Sequence, residues 1–161
     1  MKNVFILILL LFTLGTSAQN LNRINSDLKI SDSLTYESEI RIYQGGGISN
    51  YSSLFRMYKN QSDKWKIEFY KHFALVNGQN ELRTEKNILK AKNNADFVWS
   101  SILRTNIQLL PDMNVIKYKM RKRGDVKLVD GEYQLHWRSQ LIMDGVGYFV
   151  QIKDGNKYNE V

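Results

Sequence analysis

Apolar residues recur at every second position on both sides of a stretch in which they recur every third or fourth, and this change of period leaves few folds open. On the N-terminal side, Tyr36, Ser38, Ile40 and Ile42 fall on one face, and Glu37, Glu39 and Arg41 on the other. That is the pattern of a half-buried strand. Leu54 to Lys59 predicts a second strand, and the turn-forming Asn60-Gln61-Ser62-Asp63 leads to a third. In the third, Trp65, Ile67 and Phe69 alternate with Lys64, Lys66 and Glu68, so burying the tryptophan face exposes the charged one. Gly45-Gly46-Gly47 and Asn77-Gly78 read as breaks between strands.

Ile88, Ala91, Ala95, Val98, Trp99, Ile102, Leu103 and Leu109 carry the helical period. Thr84 would cap this region, Glu85 would occupy its first turn and Pro111 would end it; Asn93-Asn94 offers a fresh cap that would divide it in two. Alternation returns at Ile116, Tyr118 and Met120. Asp130-Gly131, Asp144-Gly145 and Asp154-Gly155 then mark hairpin turns, predicting Tyr133 to Met143 and Tyr148 to Lys153 as paired strands. The expected fold class is α+β: a twisted antiparallel sheet of about six strands, with a helical segment in the middle of the chain packed on one face and the other face largely solvated or curled.

The first residues have another purpose. Lys2 precedes an unbroken apolar run from Val4 to Phe12, and Thr16-Ser17-Ala18 supplies small residues before a cut, so residues 1–18 read as a secretory signal peptide cleaved after Ala18. The run is too short to cross a bilayer, which needs about 20 apolar residues. Residues 19–35 are polar, interrupted by Asn20, Asn22, Asn25, Ser26 and Ser31, and are expected to form a loosely ordered entry segment; residues 36–161 then make one domain. The chain stops at Val161 shortly after its last turn, leaving room for a longer protein. Without a single cysteine, an exported chain fits a bacterial periplasm or exterior better than a disulfide-stapled animal secretion, and has no acceptor for a lipid anchor at the cut.

A net charge of +7, one unit of it from Lys2, attracts polyanions. Export turns this away from nucleic acid and toward anionic lipid, glycan or an acidic protein. The densest charge lies at Lys117, Lys119, Arg121, Lys122, Arg123 and Lys127, six cations against Asp125 alone. On a strand the first three would project from one face at intervals of about 6.6 Å, suited to a row of anionic groups. The same cations would also guard a sheet edge against unwanted pairing.

Catalytic signatures are sparse. Cysteine chemistry is excluded, the G-x-S-x-G elbow of α/β hydrolases does not occur, and the glycine triplet has neither dinucleotide nor P-loop spacing. His72 and His136 fall in strand-like stretches, without the spacing of a zinc site, so no metal or cofactor is expected. Glu37, Glu39 and His136 are the candidate acid or base groups, although a Glu-x-Glu-x-Arg stripe is more often a solvated sheet surface. A carboxylate beside either histidine would be the sign of acid-base chemistry. The functions left open are a non-enzymatic binding module, a hydrolase of envelope polymers, and an assembly protein that docks an acidic partner.

Overall fold

The structure is a computed structural model that describes residues 16–45, 50–75, 82–116, 119, 124–136 and 146–161. Its centre is an antiparallel meander of β1 (Ser38–Gly45), β2 (Tyr51–Lys59), β3 (Trp65–Phe73) and β4 (Arg83–Leu89). The chain later returns as β7 (Gly147–Asp154) beside β1, followed by β8 (Lys157–Glu160). The six-stranded order is β4-β3-β2-β1-β7-β8, and β5 (Asp125–Val129) with β6 (Glu132–His136) forms a separate two-stranded hairpin. The expected α+β class, with an antiparallel sheet and a mid-chain helix, is therefore observed. Among the described residues no helix is long and apolar enough to cross a membrane.

Alternation makes one sheet face apolar. Ile40, Met57, Ile67 and Ile152 form a core with Trp99, which is carried by the mid-chain helix α2 (Ala95–Leu103). Asn94 caps α2 by accepting the Asp96 amide at 2.8 Å. The Asp96 side chain also accepts the Trp65 indole N–H at 2.7 Å, so the first helical turn is pinned to β3. A 3-10 turn at Ile107–Leu109 follows, held to β8 where Asn159 Nδ2 donates to the Ile107 and Leu110 carbonyls.

The other face is not solvated, and its cover is the segment read as a loose entry. A helix, α1 (Thr16–Leu28), places Leu21, Ile24 and Leu28 at spacings of three and four against Tyr43, Leu54 and Tyr70. The start of α1 means that the expected cut after Ala18 falls in its first turn; residues 1–15 lie outside the described residues. Three apolar residues scattered among Asn, Ser and Asp give a weak periodic signal, and packing on the sheet outweighs the poor helix propensity of those polar residues. The sheet is thus enclosed between α1 and α2, and β2 buries side chains on both faces.

Three other expectations are corrected. Thr84 and Glu85 do not open a helix: Arg83–Leu89 pairs with β3, where Lys71 and Lys86 meet Glu85 and Glu68, and only the Asn94 cap is used. The strand expected at Ile116 to Arg121 is not formed where it is described, because a short helix α3 (Met113–Ile116) ends on Ile116 and Lys119 is in 3-10 conformation. Pro111, which lacks an amide donor, has already ended the preceding turn. Finally, Tyr148 to Lys153 pairs with β1 and in part with β8, and Tyr133 to His136 pairs with β5, rather than with each other; residues 137–143 lie outside the described residues. The Asn77-Gly78 and Asp144-Gly145 turns lie outside the described residues, as do Gly46 and Gly47.

Candidate functional site

Glu39 and Arg41 alternate to the α1 side of β1 and are both completely buried, at 0 % exposure. Arg41 Nε and Arg56 Nε each donate to Glu39 Oε1 at 2.8 Å. Main chain supplies further partners: Arg41 donates to the Ser31 and Ser33 carbonyls, and Glu39 Oε2 accepts the Thr35 and Tyr36 amides. Burial alone would raise the Glu39 carboxyl, but the Arg41 and Arg56 guanidiniums outweigh it and hold it below its ordinary value. Glu68 behaves likewise: burial pushes it up, and hydrogen bonds from Lys86 and Tyr70 with the Lys86 and Arg56 charges bring it down. Arg56 stacks 4.3 Å from the Tyr58 ring centroid, and Tyr58 in turn stacks on Tyr36.

The expected solvated Glu-x-Glu-x-Arg stripe is thus divided. Glu37 remains exposed before β1, whereas Glu39 and Arg41 lie under the segment from Ser31 to Tyr36. A sequence can assign residues to strand faces but not say which of its own segments covers them.

Beyond the Tyr43, Leu54 and Tyr70 row of the same face lies the second polar constellation. His72 is 2 % exposed, and its Nε2 is 2.8 Å from Asp27 Oδ2 of α1. Its Nδ1 is 3.0 Å from Ser52 Oγ of β2. A carboxylate can only accept, so Nε2 carries the proton and a neutral His72 presents Nδ1 as the acceptor for the Ser52 hydroxyl. The sequence places His72 in a strand-like stretch; the cue to its partners is Ser52 opposite His72 in paired strands, which requires the register.

The hairpin carries two of the remaining predicted residues, Lys127 and His136. Val126 pairs with Leu135 and Leu128 with Tyr133, gathering four apolar side chains on one face; Asp125, Lys127, Val129, Glu132, Gln134 and His136 alternate to the other. All but the half-buried Val129 are exposed, Tyr133 by 81 %. His136 is at the end of β6 opposite Asp125, away from Glu37 and Glu39 in sequence and on a different sheet. Lys127 is exposed in β5, and Lys119 is exposed before it; Lys117, Arg121, Lys122 and Arg123 lie outside the described residues. The hairpin was legible in part, since Asp130 and Gly131 take the positive φ values, 52° and 85°, that Asp-Gly turns favour. Comparison of the chain with protein-family models, with curated proteins and with solved structures finds no match, so its functional reading rests on this geometry.

Proposed function

We propose that this chain is an exported binding module that docks on an anionic lipid surface through the β5–β6 hairpin. The observation that carries this reading is the exposed apolar face of Val126, Leu128, Tyr133 and Leu135, on a hairpin that directly follows the run of cations. An apolar face flanked by cations suits an interface whose surface is charged and whose interior is hydrocarbon. A purely anionic glycan would use the charge and leave the apolar face in water. Each cation near an anionic bilayer contributes about 1 kcal/mol, and full burial of a side chain of this size about 1.5–3 kcal/mol. Neither group outweighs the other, so docking depends on both.

The test is co-sedimentation with phosphatidylcholine vesicles, with and without added phosphatidylglycerol. Binding is expected only when the anionic lipid is present. The double substitution Leu128→Ser and Tyr133→Ser should weaken it at least ~10-fold while leaving the six-stranded sheet intact, because both side chains are exposed and lie outside that sheet. No binding to anionic vesicles, or unchanged binding by the variant, would overturn the lipid assignment, and so would binding confined to a soluble polyanion.

A further inference from the structure

The Ser52, His72 and Asp27 side chains do more than join α1 to the sheet. Strand register sets Ser52 and His72 opposite each other, with Thr84 beyond His72 on β4. On the other flank, the same row continues through Gly45 of β1 to Gly147 of β7, which pair directly. A Cβ at Gly45 would lie 3.3 Å from the Ser52 Cβ, and one at Gly147 would lie 3.5 Å from the Gly45 carbonyl oxygen. The row beside Ser52 therefore continues through two positions that carry no side chain. Ser52 itself is only partly buried, whereas His72 is enclosed and held from behind by Asp27.

We propose that Ser52 is a reactive nucleophile, activated by His72 and oriented through Asp27, and that it accepts acyl groups from esters laid along the Gly45–Gly147 backbone. Ser52 Oγ attacks the ester carbonyl and passes its proton to His72 Nδ1. Asp27 stabilises the resulting imidazolium through the Nε2–H hydrogen bond. The C–Oγ bond forms, the bond from the carbonyl carbon to the leaving oxygen breaks, and the departing alcohol takes the proton from His72. Water, deprotonated by the same imidazole, then cleaves the acyl-serine and restores the hydroxyl.

The strand also limits this chemistry. The Ala74 amide donates to the Asn50 carbonyl, which by the alternation of an antiparallel ladder makes Ser52 and His72 a hydrogen-bonded pair. The Ser52 amide is then committed to the His72 carbonyl and does not serve as an oxyanion donor. Loss of one such donor costs about 10²–10³ in rate. Acylation by activated electrophiles is accordingly expected to outrun turnover of ordinary esters.

A fluorophosphonate probe tests the assignment directly, since attack forms an Oγ–P bond and expels fluoride. Peptide mass spectrometry of the labelled full chain should place the adduct on Ser52, with none there in Ser52→Ala and undiminished labelling in Ser53→Ala. His72→Gln, which removes the base, should slow labelling by about 10²-fold or more. Circular dichroism and thermal melting will show whether each variant is folded. Should His72→Gln fail to fold, Asp27→Asn serves instead: Asp27 is partly exposed, and slower labelling in a folded Asp27→Asn protein separates activation from mere fastening of α1. An unlabelled Ser52 in the wild-type chain, or labelling at the same rate in a folded His72→Gln or Asp27→Asn variant, would overturn the proposal. Vesicle binding through the hairpin is read separately and does not depend on either outcome.

Discussion

Two arginines share one buried carboxylate oxygen, and the consequences differ for each partner. Replacing Glu39 by Gln would leave Arg41, with no solvent exposure, facing Arg56 with its carboxylate removed, and Arg56 with only Glu68 at 3.8 Å. Breaking a buried pair in this way costs about 3–5 kcal/mol, and urea denaturation should show a loss of that order. The pH dependence follows from the direction of the shift. Glu39 has a folded-state pKa below its ordinary 4.5, so its contribution is complete above about that value and is lost as pH falls through the lower, folded value. Glu68 adds to the same acid-side loss, because its folded pKa is also lowered. Stability measured against pH should therefore decline on the acid side in the wild-type protein and decline less steeply in Glu39→Gln. Residue types did reveal which positions carry charge. Their burial was not legible, since alternating Glu and Arg look the same whether water or a peptide segment lies above them.

Among the elements, the helices depend on different local signals. For α2, Asn94 provides a cap, and Asn94→Ala should lower stability by about 1 kcal/mol in a denaturant melt. For α1, tertiary contact does most of the work: Ile24 is buried against Tyr43, Leu54 and Tyr70, and Ile24→Ala should cost about 2–5 kcal/mol by the same measurement. This difference explains why the Asn94 cap is legible by inspection while α1 reads as an irregular segment. The turn after Asp63 and the Asp130-Gly131 and Asp154-Gly155 turns were equally readable, because their chemistry is local. The β5–β6 hairpin is a special case. It has only two strands and exposes both faces, so its amides should exchange with deuterium well before those of β1 and β2, which hydrogen exchange with mass spectrometry can compare.

At the scale of the whole molecule, the enclosed sheet and the exposed hairpin should respond differently to salt. Screening lengths shorten from about 10 Å at 0.1 M salt to about 3 Å at 1 M. Docking on anionic vesicles should weaken steeply over that range, whereas urea stability should change much less, because the Glu39, Arg41 and Arg56 group is closed off from solvent. Paired titrations of vesicle binding and unfolding would separate the two. Taken alone, the amino-acid order determined the α+β class, the alternating faces, the Asn94 cap, the Asp130-Gly131 and Asp154-Gly155 turns, and the concentration of positive charge before the hairpin, because each is written in neighbouring residues. Which strands became neighbours, which segment covered the polar face, and that Asp27, His72 and Ser52 would meet were decided only by tertiary structure. Those contacts join residues far apart in the chain, and their energies depend on burial and register that no local pattern contains.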